Sequence, residues 1–443
     1  MRIAYKFNIM KTFILFYSIS LFSVVITPAQ TLTTLVWFDD NFNGTNGANP
    51  ECTLIQANDG NFYGTTLGGE VIDEYETIFK MTPDGSLTTL AAFNWFTGPV
   101  PPAGFMQASD GNLYGYGEFS IVKMAPDGTV KYWFTFNNSD WTNFNIGTNW
   151  GSPLAMPVEG NDGNLYGMAP GGLYNRGAIF RLTTNGALTV IANFFGGNGA
   201  YNAPYGGLVQ GKDGNFYGAV GEGAYYEGAI IRVTTNGTLT TLVNFNGTNG
   251  VFPYGGLMQA SDGNFYGTTY GNGGTVFRMT PDGMLTTLVR SPSTAGFPKT
   301  RLLQASDGNL YGTTRSSVFK ITLGGILTTL VTNIGSGQSG LVEGKDGNLY
   351  GTTEGGYYGG GTVFKISGLD LLPRFQSVIL TNGSVNLSWN SVSNWTYRVQ
   401  YKTSLTDTNW TDLPGDVMAT NVISSKTDVA VPTQCFYRLL LLR

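Results

Sequence analysis

The tripeptide Asp-Gly-Asn recurs seven times along the 443-residue chain, with its aspartate at Asp59, Asp110, Asp162, Asp213, Asp262, Asp307 and Asp346. Successive copies are 51, 52, 51, 49, 45 and 39 residues apart, so the shortening is confined to the last units. A period of this length means that one supersecondary unit is repeated, and the unit has to be read before any single residue. In the fifth copy "YGGLMQA" (254–260) reads as a short strand and "SDGN" as a tight turn. A second strand, "FYGTTYG" (265–271), leads through a glycine loop to a third, "TVFRMT" (275–280), which "PDG" turns into a fourth, "MLTTLV" (284–289). Asp-Gly and Asn-Gly supply the positive φ angles that two-residue hairpins need, while β-branched and aromatic residues fill the runs between them. Each unit is therefore predicted to be a four-stranded antiparallel meander. Four strands in about 45 residues, repeated around an axis, is the signature of a β-propeller.

The ends of the array bear on that reading. After the seventh D-G-N the chain gives "TVFKIS" (362–367) and leaves the pattern, so the last unit lacks its fourth strand. A copy of that strand stands at the other end, where "TLTTLVWF" (31–38) matches "TLTTLVNF" (238–245). The expected fold is all-β, a seven-bladed β-propeller over residues 30–368 closed by the N-terminal strand, because closure removes an edge that would template aggregation. An open solenoid is the alternative, and it has no such need. With the N-terminal strand outermost, the "GGLMQA" strands line the axis. The D-G-N and P-D-G turns then share one face, and the glycine loops and crossings such as "NFNGTNGVFPYGG" share the other.

The units "GGLVQGKDGNFYG" and "GLVEGKDGNLYGTTEGG" resemble the GloVer-type exported tandem-repeat family, which is described as having a variable choice of anchor; the resemblance covers about residues 31–368. It implies export and a propeller-like array, and no established activity. Unit two departs most, with "GYGEFS" and "TVKYWFTF" in place of the usual second and fourth strands, and unit one carries Cys52 where other copies have glycine.

Beyond residue 368 glycine thins out, and "VNLSWN", "YRVQYKTSL" and "CFYRLLLL" read as longer strands. Trp389, Tyr397 and the closing aromatic pair look like the core of a fibronectin III or immunoglobulin-like β-sandwich over residues 369–443, with "GLDLLPRF" as linker. At the other terminus Arg2, Lys6 and Lys11 precede the apolar run "FILFYSISLFSVVI" and then "TPAQ", the order of a secretory signal peptide over residues 1–29 with cleavage before Gln30. The run is shorter than the ~20 residues that span a bilayer, and no second one follows, so the mature chain is expected to lack a transmembrane segment.

Composition excludes several chemistries. The chain has no histidine, which removes Ser-His-Asp or Cys-His catalysis and His-ligated metals. Its two cysteines, Cys52 and Cys435, are far apart and make no CxxC motif. Without Arg2, Lys6 and Lys11 the chain keeps 21 basic against 29 acidic residues, a net charge of −8, which argues against nucleic acid as a partner. A monomer without cofactors is expected.

The D-G-N aspartates read as turn residues, and Tyr63, Tyr114, Tyr166, Tyr217, Tyr266, Tyr311 and Tyr350, which recur at one strand position, as packing between sheets. Asp39, Asn41 and Asn43 match the opening of a calcium-binding EF-hand loop, but the twelfth position is Pro50 instead of the bidentate glutamate, so no metal is assigned. Residues that differ between copies are more informative. The glycine loops carry Tyr174 and Arg176, Tyr225 and Tyr226, Tyr270, and Tyr357 and Tyr358, joined on the same expected face by Tyr205 and Tyr254 of the "PYGG" crossings. Tyrosines on glycine loops present stacking planes with a hydroxyl at the rim, which suits sugar rings. The chain thus reads as an exported, non-catalytic binding scaffold, at the cell surface or outside the cell, for a polysaccharide or a protein partner. The alternative is a carbohydrate-active enzyme, glycosidase or lyase, using carboxylates of that face: Glu222, Glu227 and Glu354, or the acidic loop Glu70, Asp73, Glu74 and Glu76. A glycosidase needs two carboxyls about 5 to 9.5 Å apart.

Overall fold

The computed structural model describes residues 30–38, 47–50, 52–67, 76–93, 104–117, 120–135, 156–169, 177–194, 206–221, 223–271, 274–290, 300–335, 339–355, 360–369, 373, 375–381, 384–392, 394–404, 406–407, 409–421, 423–429 and 435–442. All regular structure among them is strand. The chain divides into a larger unit, Gln30–Gln304 with Leu310–Ser367, and a smaller one that contains Gly368–Arg443.

The larger unit holds seven four-stranded antiparallel sheets among the described residues, numbered here with the D-G-N copies. The fifth is typical: Leu257–Gln259, Phe265–Thr269, Thr275–Met279 and Leu285–Arg290 pair in chain order. Its second strand is fully buried, its third is buried except at Arg278, and its fourth is half-buried with Thr286 and Arg290 exposed. In the seventh sheet the fourth place is taken by Thr31–Trp37, which pairs antiparallel with Thr362–Ser367 from Thr31 opposite Ser367 to Trp37 opposite Thr362. The N-terminal strand therefore completes the last sheet. Each fourth strand carries one extra residue at the same place, for example between the partners of Ile230 and Ile231 or of Val276 and Phe277. Such a bulge aims one additional side chain away from the ladder.

The first strand is shorter than "YGGLMQA" predicts, three residues in the fifth sheet and two in the others. Its glycines are the reason. Gly256 has φ +68° and lies so near Gly206 of the fourth sheet that a Cβ on Gly206 would overlap the Gly256 Cα. Backbone meets backbone there, and only glycine permits that approach.

Consecutive sheets share their apolar cores, and the last shares one with the first: Val36, Phe38 and Tyr350 pack with Leu54, Phe62 and Phe79. The recurring tyrosine stacks on the aromatic residue that opens the second strand of the next sheet, Tyr166 on Phe216 and Tyr217 on Phe265 at 4.1 Å, and Tyr350 on Phe62 at 4.2 Å. Polar latches accompany these stacks. The N–H groups of Asn58, Asn161, Lys212 and Ser261 donate to the side-chain oxygens of Gln107, Gln210, Gln259 and Gln304 in the following sheet, at 2.8 to 3.0 Å. Lys345 N–H closes the series by donating to Gln56 at 2.7 Å. The amide nitrogens of Gln56, Gln107, Gln210 and Gln259 donate into their own turns, to the carbonyls of Gly60, Gly111, Gly214 and Gly263.

The smaller unit has a three-stranded sheet of Phe375–Thr381, Ser384–Asn390 and Ile423–Asp428, and a second sheet in which Thr396–Lys402 pairs with Thr411–Asp412, Val417–Met418 and Phe436–Leu442. Leu387, Trp389, Tyr397 and Val399 form its core, with Trp389 and Tyr397 5.9 Å apart. The Tyr397 hydroxyl accepts from Val392 N–H at 2.8 Å. Among the described residues no disulfide forms; Cys52 and Cys435 are both buried, and the Cys52 thiol donates to Thr65 O at 3.3 Å.

Candidate functional site

The two edges of the sheets differ chemically. At one edge lie the D-G-N turns. In all seven copies the aspartate accepts from the backbone N–H of the asparagine two residues on and from that asparagine's side-chain amide. In six, the tyrosine hydroxyl four residues on also donates to it, at 2.7 to 2.9 Å. Lys80 and Lys123 reach Asp59 and Asp110 at 3.0 and 3.4 Å. Burial pushes the Asp59 and Asp110 carboxyls up, but these donors outweigh it and hold both below the usual carboxylate range. Tyr166 and Tyr217 are pushed up to about 12, by burial first and by the bond to Asp162 or Asp213 second. The aspartates are thus turn residues whose oxygens are occupied from within. Among the described residues no group of three or more Cys, Asp or Glu side chains is arranged to hold a metal ion.

At the opposite edge the glycine loops join second to third strands and the long crossings join one sheet to the next. Tyr225 and Tyr226, on the loop of the fourth sheet, are 59% and 65% exposed, and Tyr270, on the loop of the fifth, is 44% exposed. The crossing between those sheets is bonded to both loops: Phe252 N–H donates to Glu227 O at 2.7 Å, and Tyr270 N–H donates to Val251 O and Phe252 O at 3.1 Å. Gly228, at φ +100°, lies against Pro253 where a Cβ would clash. The crossing brings three rings together. Phe252 and Tyr254 stack at 5.9 Å with 26° between planes, and Tyr254 meets the edge of Tyr270 at 5.8 Å. Tyr226 and Phe252 have positive φ, 59° and 54°. A bulky side chain at such angles is strained, and the surrounding bonds hold it there.

The structure therefore brings Tyr254 and Tyr270 into contact and exposes Tyr225 and Tyr226 on the adjoining loop. Tyr174, Arg176, Tyr205, Tyr357, Tyr358 and Glu222 lie outside the described residues, as do Asp39, Asn41, Asn43, Glu70, Asp73 and Glu74. Glu227 and Glu354 are half-buried on loops of the fourth and seventh sheets, and Glu76 is half-buried in the strand Glu76–Met81. Sequence reading overlooked Phe252. Its signal was an aromatic residue two positions before the tyrosine of a crossing that is otherwise Asn, Gly and Pro.

Residues 152–332, the third to sixth repeats, match the Gloeobacter/Verrucomicrobia repeat family. Comparison with curated proteins gives no match. Among solved structures the chain is similar to a streptogramin B lyase at 15% identity and a TM-score of 0.55, over 76% of this chain and 97% of that one. A catalytically inactive virginiamycin B lyase from Staphylococcus aureus with quinupristin is similar at 16% identity and 0.54, over 76% of this chain and 99% of that one. An extracellular domain assigned to a one-component system, BT4673 from B. thetaiotaomicron, is similar at 14% identity and 0.51, over 90% of this chain and 56% of that one, so this chain spans little more than half its length. At such identities the likeness is one of fold, and the all-β fold of this chain is β-propeller-like, with repeats similar to those of Gloeobacter and Verrucomicrobia.

Proposed function

We propose that the chain is an exported, non-catalytic binding scaffold: a signal peptide over residues 1–29, a seven-bladed β-propeller over 30–368 sealed by its N-terminal strand, and a fibronectin III or immunoglobulin-like sandwich over 369–443. Its ligand is a polysaccharide or a protein partner held outside the cell or at its surface, at the glycine-loop edge. The observation that carries this reading is the aromatic group at the fourth and fifth sheets, where Tyr225 and Tyr226 stand exposed beside the Phe252, Tyr254 and Tyr270 contacts. We extend the proposal to Tyr174, Arg176, Tyr205, Tyr357 and Tyr358, which the repeat pattern of the sequence assigns to the corresponding loops and crossings. Binding residues concentrate on loops held by a rigid scaffold, and aromatic planes beside amides suit sugar rings. The net charge of −8 left by the 21 basic and 29 acidic residues after Gln30 speaks against nucleic acid.

The test is a glycan array probed with the secreted protein, followed by the double substitution Tyr225→Ala, Tyr226→Ala. Stacking of roughly 0.5–1.5 kcal/mol per aromatic ring predicts an affinity loss of about five- to a hundred-fold. The melting temperature should hardly move, because both rings are exposed. A double variant that binds every glycan as the parent does, or that melts markedly lower, overturns the assignment. The intact mass of the secreted protein checks export separately, since a mature chain starting at Gln30 is expected and one starting at Met1 contradicts it.

A further inference from the structure

The junction between the second and third sheets breaks a packing rule that the rest of the array keeps. At five junctions the bulged residue of a fourth strand covers the glycine of the next sheet's outer turn: Leu35 covers Gly85, Leu90 Gly128, Ile191 Gly237, Leu242 Gly283 and Leu288 Gly325. The corresponding glycine of the third sheet, Gly186, has nothing within 4 Å of where a Cβ would stand. The bulged residue that should cover it lies between the partners of Ile121 and Val122, and it is Trp133. Its ring turns to the edge of Tyr114 instead, 5.1 Å away, with Lys123 Nζ 5.8 Å from its centroid and 5.2 Å from that of Tyr114.

Beside the turned ring lies a cavity of about 160 Å³ walled by Trp133 and Tyr114 and rimmed by Asp110, Glu159, Asp162 and Thr184. A cavity of ~150 Å³ takes one six-membered ring. Glu159 stands where the first, second, fourth, fifth and sixth sheets have glutamine, and it accepts from both the N–H and the hydroxyl of Ser109. A carboxylate has about four acceptor sites, so two remain for a ligand. Three carboxylates repel an anion. Lys123, paired with Asp110 at 3.4 Å, already occupies the faces of both aromatic rings, so a ligand cation finds that place taken.

We infer that this cleft, at the edge opposite the glycine loops, binds one neutral pyranose ring, stacked on Trp133 with its hydroxyls donating to the two open acceptor sites of Glu159. The site is independent of the glycine-loop reading, and its test separates the two. Methyl glycosides of glucose, galactose, mannose and N-acetylglucosamine, with methyl glucuronide as the charged comparison, are titrated into the full chain by saturation-transfer NMR. At least one neutral glycoside should bind and the glucuronide should not. Trp133→Leu and Glu159→Gln each install the residue type that other repeats carry, so both should fold. The first should weaken binding about tenfold and the second about threefold, while Tyr225→Ala, Tyr226→Ala should leave it unchanged. Absence of binding by every neutral glycoside, equal binding of the glucuronide, or parental affinity in Trp133→Leu overturns the site.

Discussion

At the D-G-N edge of the sheets the same atoms make the same bonds in copy after copy, whereas at the glycine-loop edge hardly two copies carry the same residues. The first edge joins the sheets: each aspartate is occupied by asparagine and tyrosine of its own repeat, and each latch reaches into the neighbouring one. Its uniformity follows from geometry, since a junction repeated around the array must meet the same partner each time. The second edge joins the sheets through backbone bonds of its loops and crossings, which leave the identity of the side chains free to differ. Its junction between the fourth and fifth sheets nevertheless holds two bulky residues, Tyr226 and Phe252, at positive φ. Uniformity marks the edge that holds the array together, and strained variety marks the edge that can recognise something.

The most severe way to break the uniform edge is to interrupt the array. Deleting residues 30–38 removes the buried side chains of Val36 and Phe38, worth roughly 3–6 kcal/mol together, and strips Thr362–Ser367 of its outer partner. Hydrogen exchange should show protection lost across residues 341–367 first. Unchanged protection there would mean that the N-terminal strand does not hold the seventh sheet.

A milder break acts on one turn. Asp213→Ala removes the acceptor of Asn215 and leaves the Tyr217 hydroxyl only its 3.4 Å contact with Pro281 O, and should cost about 2 kcal/mol in chemical denaturation. Glu227→Ala, at the other edge, should cost less than about 0.5 kcal/mol. Equal costs would erase the distinction between the edges.

Alkaline titration sharpens the same contrast. Tyr166 and Tyr217 titrate near 12 when folded, against about 10 when unfolded. Their contribution is complete below pH 10 and is lost as pH rises towards 12, because the unfolded chain releases those protons first. Thermal melts should therefore decline across that window, and the decline should be shallower in Tyr166→Phe, Tyr217→Phe. The smallest effect belongs to Tyr226→Gly, which relieves the backbone at φ 59° and should stabilise the protein by about 0.5 kcal/mol while weakening ligand binding. A fall in melting temperature would show that Tyr226 packs instead of presenting its ring.

Much of this was legible in the chain as written. The recurrence of Asp-Gly-Asn, the alternation around it and the displaced "TLTTLVWF" are local or periodic signals, and they predict four-stranded meanders and the N-terminal partner of the last sheet. The bonds between repeats were not legible. Nothing in "QASDGN" says that its glutamine accepts from a backbone N–H some 43 to 49 residues away. The strand length of "YGGLMQA" was overestimated because propensity does not register another backbone lying against Gly206 and Gly256.

The sequence by itself determined the class of fold, the number of repeats and which edge of each sheet would be constant, because turns and strand alternation depend on residues a few positions apart. Only the tertiary structure decided which rings meet at the variable edge and where the packing fails. Phe252 touches Tyr254 and Tyr254 touches Tyr270 because a crossing is bonded between two loops. Trp133 leaves Gly186 uncovered because its ring finds Tyr114 and Lys123. Both are contacts between residues of different strands and loops, fixed by the competition among several possible neighbours, and that competition is settled only when the sheets are packed.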